Sequence, residues 1–364
     1  MEQQDLPSGH ITEAVAATWG LDRVVGGCRT CGQAHLVSKN WIGNICPHCL
    51  NGRLEEQPVI MRKEPPELLI PFQINKTQLQ NIYTQFTKGL WLAPDDFNPA
   101  KLLQRAMPVF LPMWLVDSDV KGVWQAEMGF DYQVKSSVEA YRSGQWQTQQ
   151  KIETRIRWQS RVGTLERHYD NVATPALEEN SKMSSRLGDF ALEQAKTYQA
   201  EDLRNAFIHI PDLSPESTWD IAQKTIQQIA GSECKDASEA QHIRNFSIQA
   251  GFSNLHWSQL LLPMILSYYY GNDGKAYAVW VNGQNGKISG MRTASQQKGW
   301  LWAGISAGIA LALFIAGLIL TMIPPITALG AILIFLAFCL GVFAIIPAVW
   351  PWQWNRKQKQ TSQQ

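Results

Sequence analysis

No surplus of charge marks this sequence: 32 Lys and Arg stand against 31 Asp and Glu across 364 residues, a formal net charge of +1. Non-specific nucleic-acid affinity comes from clustered Lys and Arg that release counterions, so a protein whose main task is to neutralise phosphates is disfavoured. Catalytic signatures are missing as well. Gly271-Asn-Asp-Gly274-Lys275 has the wrong spacing for a G-x-x-x-x-G-K-[ST] phosphate loop and reads as a hairpin turn, and neither H-E-x-x-H nor G-x-S-x-G occurs. His168, His209, His242 and His256 are scattered, and Asp117 with Asp119 reads as the capping of a turn rather than a catalytic carboxylate pair. Six cysteines are too few, and too unevenly placed, for a disulfide framework: four form two CxxC pairs, while Cys234 and Cys339 stand alone. This usage implies a reducing compartment. The opening MEQQDLPSGH lacks the positive residues and the apolar stretch of a secretory signal, so the bulk of the chain is expected to start in the cytoplasm.

What is present is most distinct at the C-terminal end. Residues 300–323 (WLWAGISAGIALALFIAGLILTMI) and 328–350 (ALGAILIFLAFCLGVFAIIPAVW) carry no charged side chain, and each reaches the roughly 20 residues that a helix needs to cross a bilayer. Pro324 and Pro325 close a tight turn between them, which predicts an antiparallel transmembrane hairpin followed by a tail at 351–364. Lys298 precedes the first span and Arg356, Lys357 and Lys359 follow the second, while the turn has no charge. Both ends are therefore expected on the cytoplasmic face of the inner membrane, where Trp300, Trp302, Trp350, Trp352 and Trp354 form an interfacial belt. Gly304, Ala307, Gly308, Ala312 and Ala316 recur near helical spacing and would let the two helices, or two hairpins, approach closely. Neither span holds an ionisable group, which suits an anchor better than an ion pathway.

Near the other end, Cys28-Arg-Thr-Cys31 and Cys46-Pro-His-Cys49 are separated by fourteen residues. Two such knuckles present four thiolates in a tetrahedral shell, which predicts one structural Zn2+ held by Cys28, Cys31, Cys46 and Cys49 in a ribbon over residues 21–60, after a polar segment at 1–20. A closed shell leaves no position for a reactive water, and a redox CxxC would need a single pair opening a helix. Metal binding is expected to supply most of the folding free energy of so small a unit, on the order of 10 kcal/mol. His35 and His48 are expected at its surface. Arg23, Arg29, Lys39 and Arg53 against Asp22, Glu55 and Glu56 make no basic patch, and Trp41 is the lone aromatic available to stack on a base. The ribbon is therefore expected to contact protein, or to be purely structural, in preference to nucleic acid.

Between metal module and hairpin, after the linker Arg62-Lys-Glu-Pro-Pro66, residues 67–298 read as an α+β body. Thr77 caps a helix with Leu79, Ile82, Tyr83 and Phe86 on one face, ending near Gly89. Strand patterns follow, as in TRIRWQSRV. Leu111-Pro-Met-Trp-Leu115 and Leu262-Pro-Met-Ile-Leu266 each lead into a turn and an aromatic-rich strand, which predicts two related hairpins. Ser214-Pro-Glu-Ser opens a helix with Trp219, Ala222, Ile226, Ile229 and Ala230 on one side, ending at Gly231; Met183 to Tyr198 supplies a shorter one. These helices are expected to cover one face of a sheet.

Four stretches, Pro71-Phe-Gln-Ile74, Lys88-Gly-Leu-Trp91-Leu-Ala-Pro94-Asp-Asp-Phe97, Leu111-Pro-Met-Trp114-Leu-Val-Asp117 and Val281-Asn-Gly-Gln-Asn285-Gly-Lys287-Ile-Ser-Gly290, carry a further signal. In them the chain resembles a bacterial family of zinc-ribbon (TFIIB-type-like) membrane proteins, often misnamed as primosomal or helicase-like; Asn285 stands where that family has threonine. The resemblance covers most of residues 28–298. It implies a non-enzymatic anchor that docks stomatin/flotillin-like (SPFH) proteins and phage-shock protein A homologues at the bilayer under envelope stress, with self-association open and no catalytic residues. The alternative expectation is a membrane-tethered zinc-ribbon protein that binds nucleic acid, which a steep negative salt dependence of binding would reveal.

Overall fold

The computed structural model describes residues 19, 22–57, 64–142, 145–203 and 206–363. The expected polar segment at 1–20 lies outside these apart from Trp19, as does part of the linker after the ribbon. In chain order come β1 (Val24–Cys28), β2 (Ala34–Val37), β3 (Leu54–Glu56), β4 (Leu68–Leu69), α1 (Lys76–Thr87), α2 (Pro99–Gln104), β5 (Met107–Arg142), β6 (Gln145–Pro175), α3 (Asn180–Leu187), β7 (Lys196–Thr197), β8 (Phe207–His209), α4 (Trp219–Ala237), β9 (His242–Tyr270), β10 (Ala276–Asn282), β11 (Ile288–Gly290), α5 (Gln296–Thr321), α6 (Thr327–Phe343) and α7 (Ile345–Gln363). The strands order β11-β10-β9-β5-β8-β2-β1-β3, with β6 paired to β5, and β4 to β7 and β9. This is a mixed α+β chain with an N-terminal cysteine cluster and apolar C-terminal helices. It divides into two compact units: residues 1–111, 181–210 and 261–364, and residues 112–180 and 211–260.

In the first unit the ribbon does not stand apart from its neighbours. Antiparallel β1 pairs with β2 and β3, and β2 passes the sheet on to β8 through His35↔His209 and Leu36↔Ile208. Val25, Leu36, Leu69, Phe110, Ile208 and Leu261 share one core. Arg23 is buried and donates its guanidinium to the carbonyls of Leu203 and Ala206, so one of the basic side chains counted on the ribbon faces inward.

A second core in this unit gathers around α1, where Asn75 rather than Thr77 is the cap: Asn75 accepts the Gln78 amide at 2.9 Å and Gln78 Oε1 accepts the Asn75 amide at 2.9 Å. This reciprocal box satisfies two amides that a helix start leaves orphaned. Leu79 and Tyr83 are buried against Phe97, Leu102, Tyr269 and Val281, with Ile82 and Phe86 partly buried alongside. β9 and β10 form the expected hairpin at Gly271–Lys275.

The second unit corrects two expectations. The segment after Leu111-Pro-Met-Trp-Leu115 does not turn back: β5 continues for 36 residues and pairs with β6 from Met113↔Pro175 to Arg142↔Gln145. The aspartates there mark a register shift between Val116 and Ser118, where Asp117 accepts the amide of Asn171 at 2.7 Å and Asn171 adopts a left-handed φ of 55°. A carboxylate that holds an irregular amide looks the same in sequence at a bulge and at a turn. Helix α4 likewise runs past Gly231, where a Cβ would lie 3.3 Å from the Phe246 ring, so the glycine serves as a contact point rather than a stop. Ala222, Ile226 and Ala230 sit on Val116, Val120, Tyr169 and Val172, covering one face of the sheet, while Ile229 points outward.

The apolar helices also differ in detail. Helix α5 has 26 residues and begins at the Ser295 cap, whose hydroxyl accepts the Lys298 amide at 3.1 Å. Pro324–Ile326 makes the turn, and the expected tail is helical: α7 carries Pro351 inside it and continues to Gln363. Helix contact does not use Gly304 or Gly308, which face open space. It uses small residues seven apart, Ala303, Ala310 and Gly317 on α5 and Gly330, Ala337 and Ala344 on the return, all buried. A Cβ on Gly317 would meet the Gly330 carbonyl at 2.9 Å, and one on Gly330 the Gly317 carbonyl at 2.7 Å, so the backbones touch where no side chain fits.

Candidate metal centre and helix platform

The β1–β2 turn delivers the first knuckle and the loop before β3 the second. Cys28 and Cys46 are buried, Cys31 and Cys49 half-buried, and all four Sγ atoms lie within 4.8 Å of one another. Cys28 Sγ and Cys49 Sγ are 3.7 Å apart, Cys31 Sγ and Cys46 Sγ 3.8 Å. Tetrahedral ligation at about 2.3 Å per Zn–S bond requires sulfurs about 3.8 Å apart, so the donor set fits a four-thiolate ion such as zinc. Backbone amides point at the sulfurs: His48 N–H reaches Cys46 Sγ at 3.4 Å and Gly52 N–H reaches Cys49 Sγ at 3.3 Å. Gly52 has to be glycine, since a Cβ there would lie 2.5 Å from Cys28 Sγ. Burial pushes the Cys46 and Cys31 thiols up, Cys31 to about 11. Cys28 falls to about 7, because amides of Cys31 and Thr30 and the neighbouring thiols outweigh its own burial. Four thiols that resist joint ionisation are the arrangement a divalent cation resolves.

Of the two histidines expected at the surface, His48 is half-buried and His35 is not a surface residue at all. His35 is 1% exposed, and its Nε2 lies 3.9 Å from Cys46 Sγ. Burial, with His48 nearby, lowers its pKa to about 3, so the ring is neutral. His209, which sequence spacing scattered far from the ribbon, packs at a tilt 4.3 Å from His35 and 5.5 Å from His48 by ring centroids. The β2–β8 pairing creates this neighbourhood, and nothing local in the sequence announces it. Trp41 packs against Phe207 at 4.9 Å, Arg29 pairs with Glu55 at 2.7 Å, and Arg53 donates to the Gly43 carbonyl at 2.7 Å. Trp41, Arg29 and Arg53 thus each have a partner within the protein.

Several of the motif stretches of the body converge on the base of the apolar helices. Gln73 and Ile74 give their amides to the Gly283 carbonyl, tying Pro71–Ile74 to the 281–290 turn. In that turn Asn285 accepts the Lys287 amide at 2.8 Å, a local bond that closes the turn. Lys298 at the start of α5 donates to the Ala93 carbonyl and to Asp95, both at 2.7 Å, and the Ser295 amide reaches Leu92 O. From α7, Trp354 Nε1 donates to Arg292 O at 2.6 Å, Asn355 bonds both the amide and the carbonyl of Ala294, and Trp350 packs 5.1 Å from Trp91. Asp96 takes Arg105, Lys101 at 3.0 Å and the Tyr270 amide at 2.8 Å, with Arg105 between the Tyr268 and Tyr270 rings. The Lys88–Phe97 segment is thereby a clamp on both helix ends.

The chain is similar to an uncharacterized protein of Bacillus subtilis (strain 168), YdjG, at 22% identity over 264 residues, covering 70% of this chain and 72% of that protein. No protein-family model matches the chain, and no solved structure does. The comparisons leave the chain with a distant uncharacterized relative, a four-cysteine cluster fit for a metal and two helical stretches long and apolar enough to cross a membrane.

Proposed function

We propose that this chain is a non-enzymatic anchor of the bacterial inner membrane: a structural zinc ribbon and an α+β body held at the cytoplasmic face by a two-pass hairpin, recruiting cytoplasmic membrane-stress partners of the SPFH and phage-shock protein A type. The observation that carries the reading is the clamp of Lys88–Phe97 on both ends of the hairpin, through Lys298 on Asp95 and Trp350 on Trp91, beside which Trp354 and Asn355 bond Arg292 and Ala294 just ahead of α5. A helical stretch of 37 residues, Pro324–Gln360, is about 55 Å long against a hydrocarbon core of about 30 Å. Its last turns therefore stand clear of the bilayer, where Arg356, Lys357 and Lys359 favour the cytoplasm. No ionisable group lies in the spans and, among the described residues, no catalytic constellation accompanies the metal shell, which supports a scaffold over a transporter or an enzyme. The inward-turned Arg23 and the packed Trp41 favour protein over nucleic acid as the ribbon's neighbour.

Affinity purification of the tagged full chain from detergent-solubilised native membranes tests the reading. Stoichiometric recovery of an SPFH or phage-shock partner is expected; recovery of intact protein alone, at a detergent concentration that preserves other complexes, would sink it.

A further inference from the structure

We infer that the second unit binds an extended, acidic peptide segment of a protein partner as an added strand along β9, in the groove between β9 and α4. The groove, about 480 Å³, is lined on the helix side by Lys224, Gln228 and Lys235 and on the strand side by Ile243, Phe246 and Ile248. Three observations support it. First, residues 243–248 are paired on one side only among the described residues: β5 is their neighbour, β10 takes up Met264–Tyr270, and β4 reaches β9 at its far end, where the Ile70 amide bonds Leu261 O. An unpaired edge offers a row of amides and carbonyls that an extended chain satisfies, with alternate side chains turned into the groove. Second, Gly231 lets α4 pack against Phe246, so helix and strand edge form the two walls of a trough whose floor is apolar and half-buried. Third, the lining includes two lysines and no carboxylate, Lys235 standing 3.8 Å from Asp236 outside the lining and Lys224 exposed, so its charge favours an acidic occupant. The left-handed Asn245 (φ 54°) interrupts the ladder and sets where the added strand begins. The inference deepens the scaffold reading by naming a docking surface and a partner chemistry, and it rests on that reading for the partner being a protein.

The test is fluorescence anisotropy with the full chain in detergent micelles and a fluorescein-labelled peptide alternating Glu and Val. Saturable binding is expected, weakened about tenfold by Lys224→Glu with Lys235→Glu, the first exposed and the second half-buried, a double variant whose far-UV circular dichroism should match the parent. Two further peptides carry N-methyl groups at alternate residues, one on each set. Strand addition predicts that one set abolishes binding and the other leaves it, because only every second amide faces the edge. Absence of saturable binding, equal binding of both methylated peptides, or equal binding of a Lys and Val peptide overturns the inference. Run on native membranes, the double variant separates the two readings. Loss of partners that the parent retains supports the groove, retention of them overturns the groove while the scaffold stands, and a parent without partners overturns the scaffold.

Discussion

Asp96 concentrates three donors on one carboxylate, and the Arg105 guanidinium, followed by the Tyr270 amide and Lys101, holds its carboxyl well below the usual range despite partial burial. A carboxyl whose folded pKa is lowered contributes stability above its unfolded pKa, about 3.9, and loses it as pH falls through that value towards the folded one. Thermal unfolding followed between pH 6 and pH 3 should therefore show a steep acid loss in the parent. Asp96→Asn should start about 2 kcal/mol lower and vary less over the same window; parallel curves would show that Asp96 does not set the acid limit. The neighbouring Asp95 pairs with Lys298, so the two aspartates, adjacent in sequence, serve a core ion pair and a helix base separately.

Among the helices, the contact seam runs through small residues seven apart rather than through Gly304 and Gly308. Gly317→Leu should cost about 1–3 kcal/mol, because overpacking at a backbone contact forces the helices apart, whereas Gly308→Leu should change stability by about 0.5 kcal/mol or less. Titration of purified protein with sodium dodecyl sulfate, followed by loss of helical circular dichroism, measures both; equal midpoints would place the seam elsewhere. The comparison also explains what the sequence could reveal. Length and lack of charge made both helical stretches readable, since those properties belong to one segment. Which glycines touch depends on rotation about the helix axis, which an all-apolar helix does not encode in a polar face. The same limit applies to β5: its alternating pattern was visible, but aspartates that hold a bulge and aspartates that cap a turn are the same letters. The four cysteine ligands were readable because knuckle spacing is local. The His35–His209 contact was not, because it depends on a strand pairing between residues far apart in the chain.

For the molecule as a whole, the ribbon's dependence on metal should extend further than its own size suggests. Since β2 continues into β8 and shares a core with Phe110 and Leu261, metal removal should lower the unfolding temperature of the surrounding unit as well as the ribbon. Stripping the metal with a chelator, or Cys46→Ser, should abolish the bound ion, one per chain by mass spectrometry, and lower the main calorimetric transition. An unchanged main transition would show the ribbon to be thermally independent. The long β5–β6 pair has a consequence of a different kind. From Asp131↔Ile156 to Arg142↔Gln145 it is a ribbon of two strands, because β9 begins at His242, beside Gly129, and this stretch measures about 40 Å. Two strands without a third are marginal in water, and the Tyr141 and Trp146 rings at its end are 61% and 70% exposed. Amide hydrogens of Val116–Met128 should then persist in deuterated water long after those of Asp131–Arg142 have exchanged, so that one uninterrupted strand keeps two clocks; a uniform exchange rate along β5 would contradict this.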